Sequence, residues 1–399
     1  MTTNLVTFFD DFLKKEPLLT NKKVLQANYT PDNIPHREDQ IRTIAGILAP
    51  CLKLEKPSNI FLYGKTGTGK TLTIKYVTKQ ILEVARQKNL NLKVIYVNCK
   101  LKRVSDTEYR LIAQLANEFG KEIPPTGLPT DEVYKLFIKT LDNSKSLVII
   151  ILDEIDQLVK KVGDNILYNL TRLTSELKNS EITIIGISND LKFTEDLDAR
   201  VRSSLSEEEL VFPPYDALQI KDILKQRSIL AFRDDAIDEG VVEKCAAYAA
   251  REHGDARRAL DLLRVAAELA ERKNKSKVDI EDIDAAEDKI EKDRVLDIIK
   301  TQPKQFQLTL MAILITNERG LFFTGDVYDV YKNLCEQCGL KPLTQRRVSD
   351  IIAEFDMLGI INAKVISKGR YGRTREIGLA IPSSTIPTIN NILKEGLNL

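Results

Sequence analysis

Along residues 38–212 two textures of apolar residues alternate. In one, apolar positions recur every three or four residues, which predicts amphipathic helices over Arg37–Leu54, Lys70–Lys88, Ser105–Phe119, Thr130–Leu141 and Asn165–Glu176. In the other, short stretches are apolar throughout, which predicts strands over Asn59–Tyr63, Lys93–Asn98, Ser146–Leu152 and Ile182–Ile187. The run Leu147-Val148-Ile149-Ile150-Ile151-Leu152 offers no polar side to water, so its strand must be covered on both faces. A parallel sheet between helix layers meets that demand, and the expected fold class is α/β. After Phe212-Pro213-Pro214-Tyr215 the strand pattern stops. Helical patterns at Ala217–Phe232, Asp238–His253 and Asp255–Arg272 continue to about residue 295, as in a helical lid. From about 301 onward the pattern is three helices, then two short strands around a glycine- and arginine-rich turn. The expected division is an N-terminal arm over 1–20, a core over 21–212, a lid over 213–298 and a third domain over 299–399.

Composition narrows this picture. A chain of 399 residues with 43% apolar and 29% charged residues suits two or three domains whose cores need no disulfides. With no apolar run resembling a membrane span and no secretory leader, a cytoplasmic protein without a membrane partner is expected. The formal charge of +1 gives no general attraction to nucleic acid, so any such contact has to come from a local basic surface. Of the five cysteines, Cys335 and Cys338 form a CxxC pair. With two histidines in the chain and no further thiols nearby, the pair reads as core or helix-surface thiols rather than a metal or redox site. The run from Glu271 to Lys277 reads as a solvated loop.

Candidate chemistry begins at Gly64-Lys65-Thr66-Gly67-Thr68-Gly69-Lys70-Thr71, which fits G-x-x-x-x-G-K-[ST] between a strand and a helix. Glycines 64, 67 and 69 let backbone N–H groups, Thr68 included, converge on phosphate oxygens, and the helix N-terminus adds its dipole. Lys70 is expected on the β- and γ-phosphates of ATP and Thr71 on Mg2+. Asp153 and Glu154 close the buried strand at 146–152. Two adjacent carboxylates there are costly to bury unless a cation is near, so Asp153 is expected to hold Mg2+ and Glu154 to act as general base. Asn189, after the next apolar strand, can orient a water without adding charge, although a lone Asn is more often a turn former and its assignment leans on the other motifs.

Together these segments resemble an AAA+ ATPase. His253-Gly254-Asp255-Ala256-Arg257-Arg258-Ala259-Leu260 is similar to the sensor-2 segment of the Orc1/Cdc6 initiator family, in which a lid arginine meets the γ-phosphate; here that is Arg257. The resemblance implies base-side contacts at Pro35, His36 and Arg37, and Tyr215 and Arg227 facing the nucleotide. It also implies an arginine finger, acting on a neighbour's ATP, at Arg200 or Arg202; both are equally compatible with surface pairs to Glu207-Glu208-Glu209. The Pro124–Tyr134 segment resembles the extra helical insertion of initiators, which implies DNA contact by Thr126, Gly127 and Leu128; from the residues alone it is a Pro/Gly loop capped by Thr130 into a helix.

Leu343–Gly359 predicts a capped amphipathic helix whose stripe is Val348, Ile351, Ile352, Phe355 and Leu358, leaving Thr344, Gln345, Arg347 and Ser349 at its exposed first turn. The following turn carries Lys368, Arg370, Tyr371, Arg373 and Arg375, a basic hairpin suited to phosphate or minor-groove contact. Helix and basic hairpin resemble a C-terminal winged helix. The family resemblance implies an ATP/ADP-controlled protein that binds double-stranded origin DNA, helps recruit or load the MCM helicase, shares origins with paralogous initiators and is nucleoid-associated. An ATP-gated transcription regulator and a clamp-loader-like remodelling ATPase share parts of this pattern.

Overall fold

The computed structural model describes residues 16–27, 29–100, 107–124, 126–205, 207–317, 322–367, 373–382 and 385–397, and the chain forms two compact units that divide after Ile283. In the first unit the alternation of textures becomes α1 (Glu38–Leu48), β1 (Asn59–Tyr63), α2 (Lys70–Gln87), β2 (Leu92–Asn98), α3 (Glu108–Asn117), α4 (Thr130–Leu141), β3 (Ser146–Asp153), α5 (Ile155–Val162), α6 (Asn165–Glu176), β4 (Ser180–Ser188), α7 (Ala199–Leu205) and β5 (Glu207–Val211). The strands pair in parallel in the order β2-β3-β4-β1-β5.

Strand β3 explains the uniform apolar run. Its odd positions, Leu147, Ile149 and Ile151, enter one core with Ile60, Leu62 and Ile74; its even positions, Val148, Ile150 and Leu152, enter a second with Phe61, Phe137 and Leu167. Both faces are therefore dry, and each fully buried aliphatic side chain contributes about 1.5–3 kcal/mol. At the carboxyl ends of β1, β3 and β4 the chain turns into the segments singled out above, the crevice where open parallel sheets present ligand sites.

The first unit also departs from the pattern-based reading, which does not include α5 or α7. Helix α1 stops at Leu48 and continues as a 3-10 turn over Ala49–Lys53, because Pro50 has no N–H for the helix ladder. Thr130 is the first residue of α4 rather than its cap; the cap position is Pro129, and among the described residues no side chain caps the helix. Strand β5 was not expected, since its sequence Glu-Glu-Glu-Leu-Val is polar; charges suit an exposed sheet edge.

The lid comprises α8 (Ala217–Ala231), α9 (Val241–Arg251) and α10 (Ala256–Arg272). Asp216 opens α8 with a capping box: its carboxylate accepts from Gln219 N at 2.8 Å while Asp216 N donates to Gln219 Oε1 at 3.1 Å. Residues 18–25 pack with these helices, through a Leu19–Phe232 bridge and Leu18 N donating to Glu271 Oε1 at 2.8 Å. The expected solvated loop at 271–277 has a structural role: Lys273 and Lys275 hold fully buried Asp282 at 3.0 and 2.9 Å.

Helix α11 (Ile280–Thr301) leads into the second unit, with α12 (Lys304–Asn317), β6 (Phe322–Phe323), α13 (Thr324–Gln337), α14 (Gln345–Met357), β7 (Ile361–Ser367), β8 (Arg373–Leu379) and α15 (Ile386–Leu397). Its sheet is antiparallel in the order β6-β8-β7. Val348, Ile351, Ile352 and Phe355 of α14 are buried in the core of this unit, as the stripe predicts. Leu358 is only partly buried. Cys335 is buried there too, and Cys338 is partly exposed.

Candidate functional site

The loop between β1 and α2 closes around its own lysine. Lys70 Nζ donates to Gly64 O at 2.6 Å, to Lys65 O at 2.8 Å and to Asn189 Oδ1 at 3.0 Å. All three acceptors are neutral oxygens, and burial draws the ammonium down to about 8 despite the nearby Asp153. A polyphosphate would reverse that penalty, since it supplies the negative charge that the carbonyls lack. Gly69 caps α2 at φ +92°, and a β-carbon there would stand 2.8 Å from Tyr215 Oη. Thr68, fully buried, donates from Oγ1 to Lys65 O at 2.9 Å.

Register brings the acidic pair alongside: β3 neighbours β4, so Asp153 lies opposite Ile187, two residues before Asn189. Asp153 Oδ2 accepts from Thr71 Oγ1 at 2.9 Å and from Tyr96 Oη at 2.6 Å, and Asp153 Oδ1 accepts from Glu154 N at 3.0 Å. A buried carboxylate next to an alcohol oxygen is the hard-oxygen donor set that fits Mg2+. Glu154 adopts left-handed backbone angles, φ 56° and ψ 46°, a conformation that stores on the order of 1–3 kcal/mol in a non-glycine residue. Lys100 Nζ lies 3.8 Å from its carboxylate.

A cavity of about 310 Å3 extends from this loop to the lid, lined among others by Tyr29, Pro35, Lys75, Tyr215, Arg227 and Arg257. Arg227 is 7% exposed, its guanidinium lies 4.5 Å from the Tyr29 ring centroid, and its Nη1 has no hydrogen-bond partner among the described residues. Burial lowers its pKa from the usual guanidinium value. A buried donor of this kind fits an anionic or hydroxyl-rich ligand. Arg257 is exposed in the cavity near enough to Lys70 for its charge to lower the lysine further.

The entry segment divides. Pro35 lines the cavity, whereas His36 Nε2 lies 3.2 Å from Asp222 Oδ2. Arg37 is buried, with Nε donating to Thr68 O at 2.9 Å, Nη2 to Pro213 O at 2.6 Å and its guanidinium 3.8 Å over the Tyr215 ring. Arg37 thus braces the loop against the core-to-lid junction. Asp255, at the start of α10, reaches the loop from the lid: it caps Arg257 N at 2.8 Å, and its Oδ2 accepts from Thr66 Oγ1 at 3.3 Å. Sequence reasoning missed Tyr29, Tyr96 and Asp255 as site residues, because each depends on a neighbour distant in the chain.

Comparison with known proteins follows the same layout. The family models for the AAA domain, the Cdc6 AAA+ ATPase-type lid domain and the CDC6 C-terminal winged helix domain match residues 54–192, 221–288 and 297–388. The ORC1-type DNA replication protein of Pyrococcus horikoshii is 55% identical over 95% of this chain and 91% of its own length. The chain belongs to the Orc1/Cdc6 family. ORC1-type DNA replication protein 1 of Methanosarcina mazei is 52% identical over 94% of this chain and 90% of its own. The structure of the Aeropyrum pernix Orc1 protein in complex with DNA matches with a TM-score of 0.83 and 44% identity, over 96% of this chain and 98% of that one.

In this Orc1/Cdc6 chain Arg200, Arg202, Thr126, Gly127, Thr344, Gln345 and Arg347 are exposed, and Leu128, Ser349 and Arg375 are partly buried. Arg200 pairs with Asp198 at 3.2 Å, and Arg202 is exposed one residue pair further along α7, its charge felt by Glu207. Thr126 and Gly127 form an exposed bend, and Leu128 packs partly against the core. In the winged helix, Thr344 caps α14 by accepting from Arg347 N at 3.4 Å. A groove of about 500 Å3 is lined by Thr324, Gln345, Arg346, Ser349, Thr374 and Arg375. Arg375 Nη1 donates to Ser349 O at 2.7 Å and so ties the wing strand to the helix. Arg347 instead approaches Asp350 at 3.8 Å. Positions 345, 346 and 349 share a helical face by their spacing of three and four, the signal that would have selected Arg346. Lys368, Arg370 and Tyr371 lie outside the described residues; Arg373 opens β8. Among the described residues no helix is long and apolar enough to cross a membrane.

Proposed function

We propose that this chain is an ATP-controlled initiator that recognises double-stranded origin DNA and helps recruit or load the MCM helicase, with slow hydrolysis resetting it from ATP to ADP. The observation that carries the nucleotide half is the convergence of Lys70, Thr71, Asp153 and Asn189 at the carboxyl ends of adjacent strands, with Asp255 touching the loop from the lid. In this reading Lys70 neutralises phosphate oxygens, Asn189 orients the attacking water, Glu154 takes its proton, and Arg257 on the lid answers to the γ-phosphate. Mg2+ held by Thr71 and Asp153 would supply charge neutralisation of the phosphates. Arg227 would meet the nucleotide with its unpartnered N–H. Arg200 or Arg202, exposed on α7, would serve a neighbouring initiator, including a paralogue on an adjacent site.

The DNA half is supported by the resemblance to the DNA-bound Aeropyrum pernix Orc1 protein and by a groove that joins Gln345 and Arg346 of α14 with Arg375 of β8. The exposed 126–127 bend would add a second contact from the core, and the full protein would act in the cytoplasm on the nucleoid. Footprinting of the full chain on an origin duplex and on a scrambled duplex, with ATP or ADP, tests the reading. Protection confined to the origin and altered by nucleotide is expected, together with capture of the MCM helicase. Equal protection of both duplexes would overturn it.

A further inference from the structure

Tyr96 is absent from the motifs that define the site, yet it makes the shortest described hydrogen bond to Asp153. It lies on β2, an edge strand, where it pairs in register with Ile151, and its hydroxyl reaches forward to Asp153 Oδ2 at 2.6 Å. Thr71 Oγ1 donates to the same oxygen at 2.9 Å, and Glu154 N holds the other at 3.0 Å. Both carboxylate oxygens are thereby fixed. The P-loop helix also holds the tyrosine from outside: Lys75, one turn after Thr71 on the same face of α2, places Nζ 4.0 Å from the Tyr96 ring centroid. Tyr96 is 37% exposed, so its contribution to the core is small, whereas its hydroxyl is spent on a nearly buried carboxylate.

We propose that Tyr96 is a positioning residue for the cation site: its hydroxyl fixes the Asp153 carboxylate in the orientation that receives Mg2+, and Lys75 keeps the ring in place. A threonine hydroxyl that turns a lone pair toward a cation still carries its proton and can keep donating it to the neighbouring carboxylate, whereas the Tyr96 hydroxyl serves the carboxylate alone. Tyr96 is then the second side-chain donor to Asp153 Oδ2, one whose hold on the carboxylate does not depend on the cation. Such outer-shell partners typically govern about 10–100-fold of metal affinity.

The inference rests on the nucleotide and Mg2+ reading of this site, and the test separates the two. Full-length protein and Tyr96→Phe, which keeps the ring, are titrated with fluorescent ADP in EDTA and then with Mn2+ in the presence of ADP, followed by electron paramagnetic resonance. The expected result is metal-free ADP affinity within about two-fold of wild type and Mn2+ affinity lowered about ten-fold or more. Unchanged Mn2+ affinity in Tyr96→Phe overturns the inference alone. An equal loss in metal-free ADP affinity overturns it too, by showing a general packing role. Failure of the wild type to bind Mn2+ in the presence of ADP overturns the site reading and this inference with it.

Discussion

Asp255 Oδ1 occupies the space that a β-carbon on Gly67 would need, at 1.7 Å, so the lid helix docks on the phosphate loop through the absence of one methyl group. The backbone there is also left-handed, at φ +70°. Gly67→Ala is expected to push the start of α10 off the loop and to weaken ADP binding by about ten-fold or more, the combined effect of strain and a displaced lid. Fluorescent-ADP titration checks this, and wild-type affinity in the variant would show the docking to be dispensable.

Lys70→Ala removes the cation at the centre of the loop and leaves the carbonyls of Gly64 and Lys65 without their donor. Loss of one buried charge-assisted contact of this kind corresponds to about 2–5 kcal/mol, so nucleotide binding or turnover should fall by at least about thirty-fold. Normal ATP turnover would remove the nucleotide assignment.

Arg37 should behave as a brace rather than a base contact. Arg37→Lys cannot reach Thr68 O and Pro213 O together, and the substitution is expected to destabilise the fold by roughly 1–3 kcal/mol. The measurement is Tm with and without ADP. A large loss of ADP affinity at unchanged Tm would return Arg37 to the binding surface.

For DNA, the groove favours Gln345 and Arg346 over Arg347. The double variant Gln345→Ala, Arg346→Ala should flatten the preference for origin over scrambled duplex, while Arg347→Ala should lower affinity for both and reduce the salt slope by about one. Band-shift titrations at several salt concentrations distinguish the two, and a preference retained in the double variant would move recognition elsewhere.

Thiol chemistry gives an independent check on packing. Burial pushes Cys51 and Cys99 up to about 12, and Cys245 and Cys335 are also buried, whereas Cys338 is partly exposed. Because the thiolate is the reactive form, a raised pKa lowers reactivity at every pH below it, and near pH 8 labelling should modify Cys338 rapidly and the other four slowly. Mass spectrometry of labelled peptides reads this out; rapid labelling of Cys51 would contradict the core described.

Much of the core was legible because its signals are local. The run at 147–152 declares a strand buried on both faces, and Gly64–Thr71 carries its strand, loop and helix within one stretch. What was missed depends on distant partners. Tyr96 looks like an ordinary strand aromatic until β2 is set beside β3, and Asp255 like an ordinary helix cap until the lid meets the loop. Arg346 and Arg347 are indistinguishable by composition and separate only by helical phase. Strand β5 was hidden by its charges, because an edge strand does not need the apolar pattern by which strands are recognised.

The packing of residues 18–25 on the lid makes the AAA core an insertion within the lid. Leu18 meets Glu271 and Arg233, Asn21 meets Ala231, and the entire 38–212 sheet layer lies between those partners in the chain. Two strands of backbone therefore cross between the bodies, one ending at Arg37 and one at Phe212–Tyr215, and Arg37 Nη2 bonds them together at Pro213 O. The newly made chain therefore cannot complete the lid until the whole core between its two parts has been synthesised.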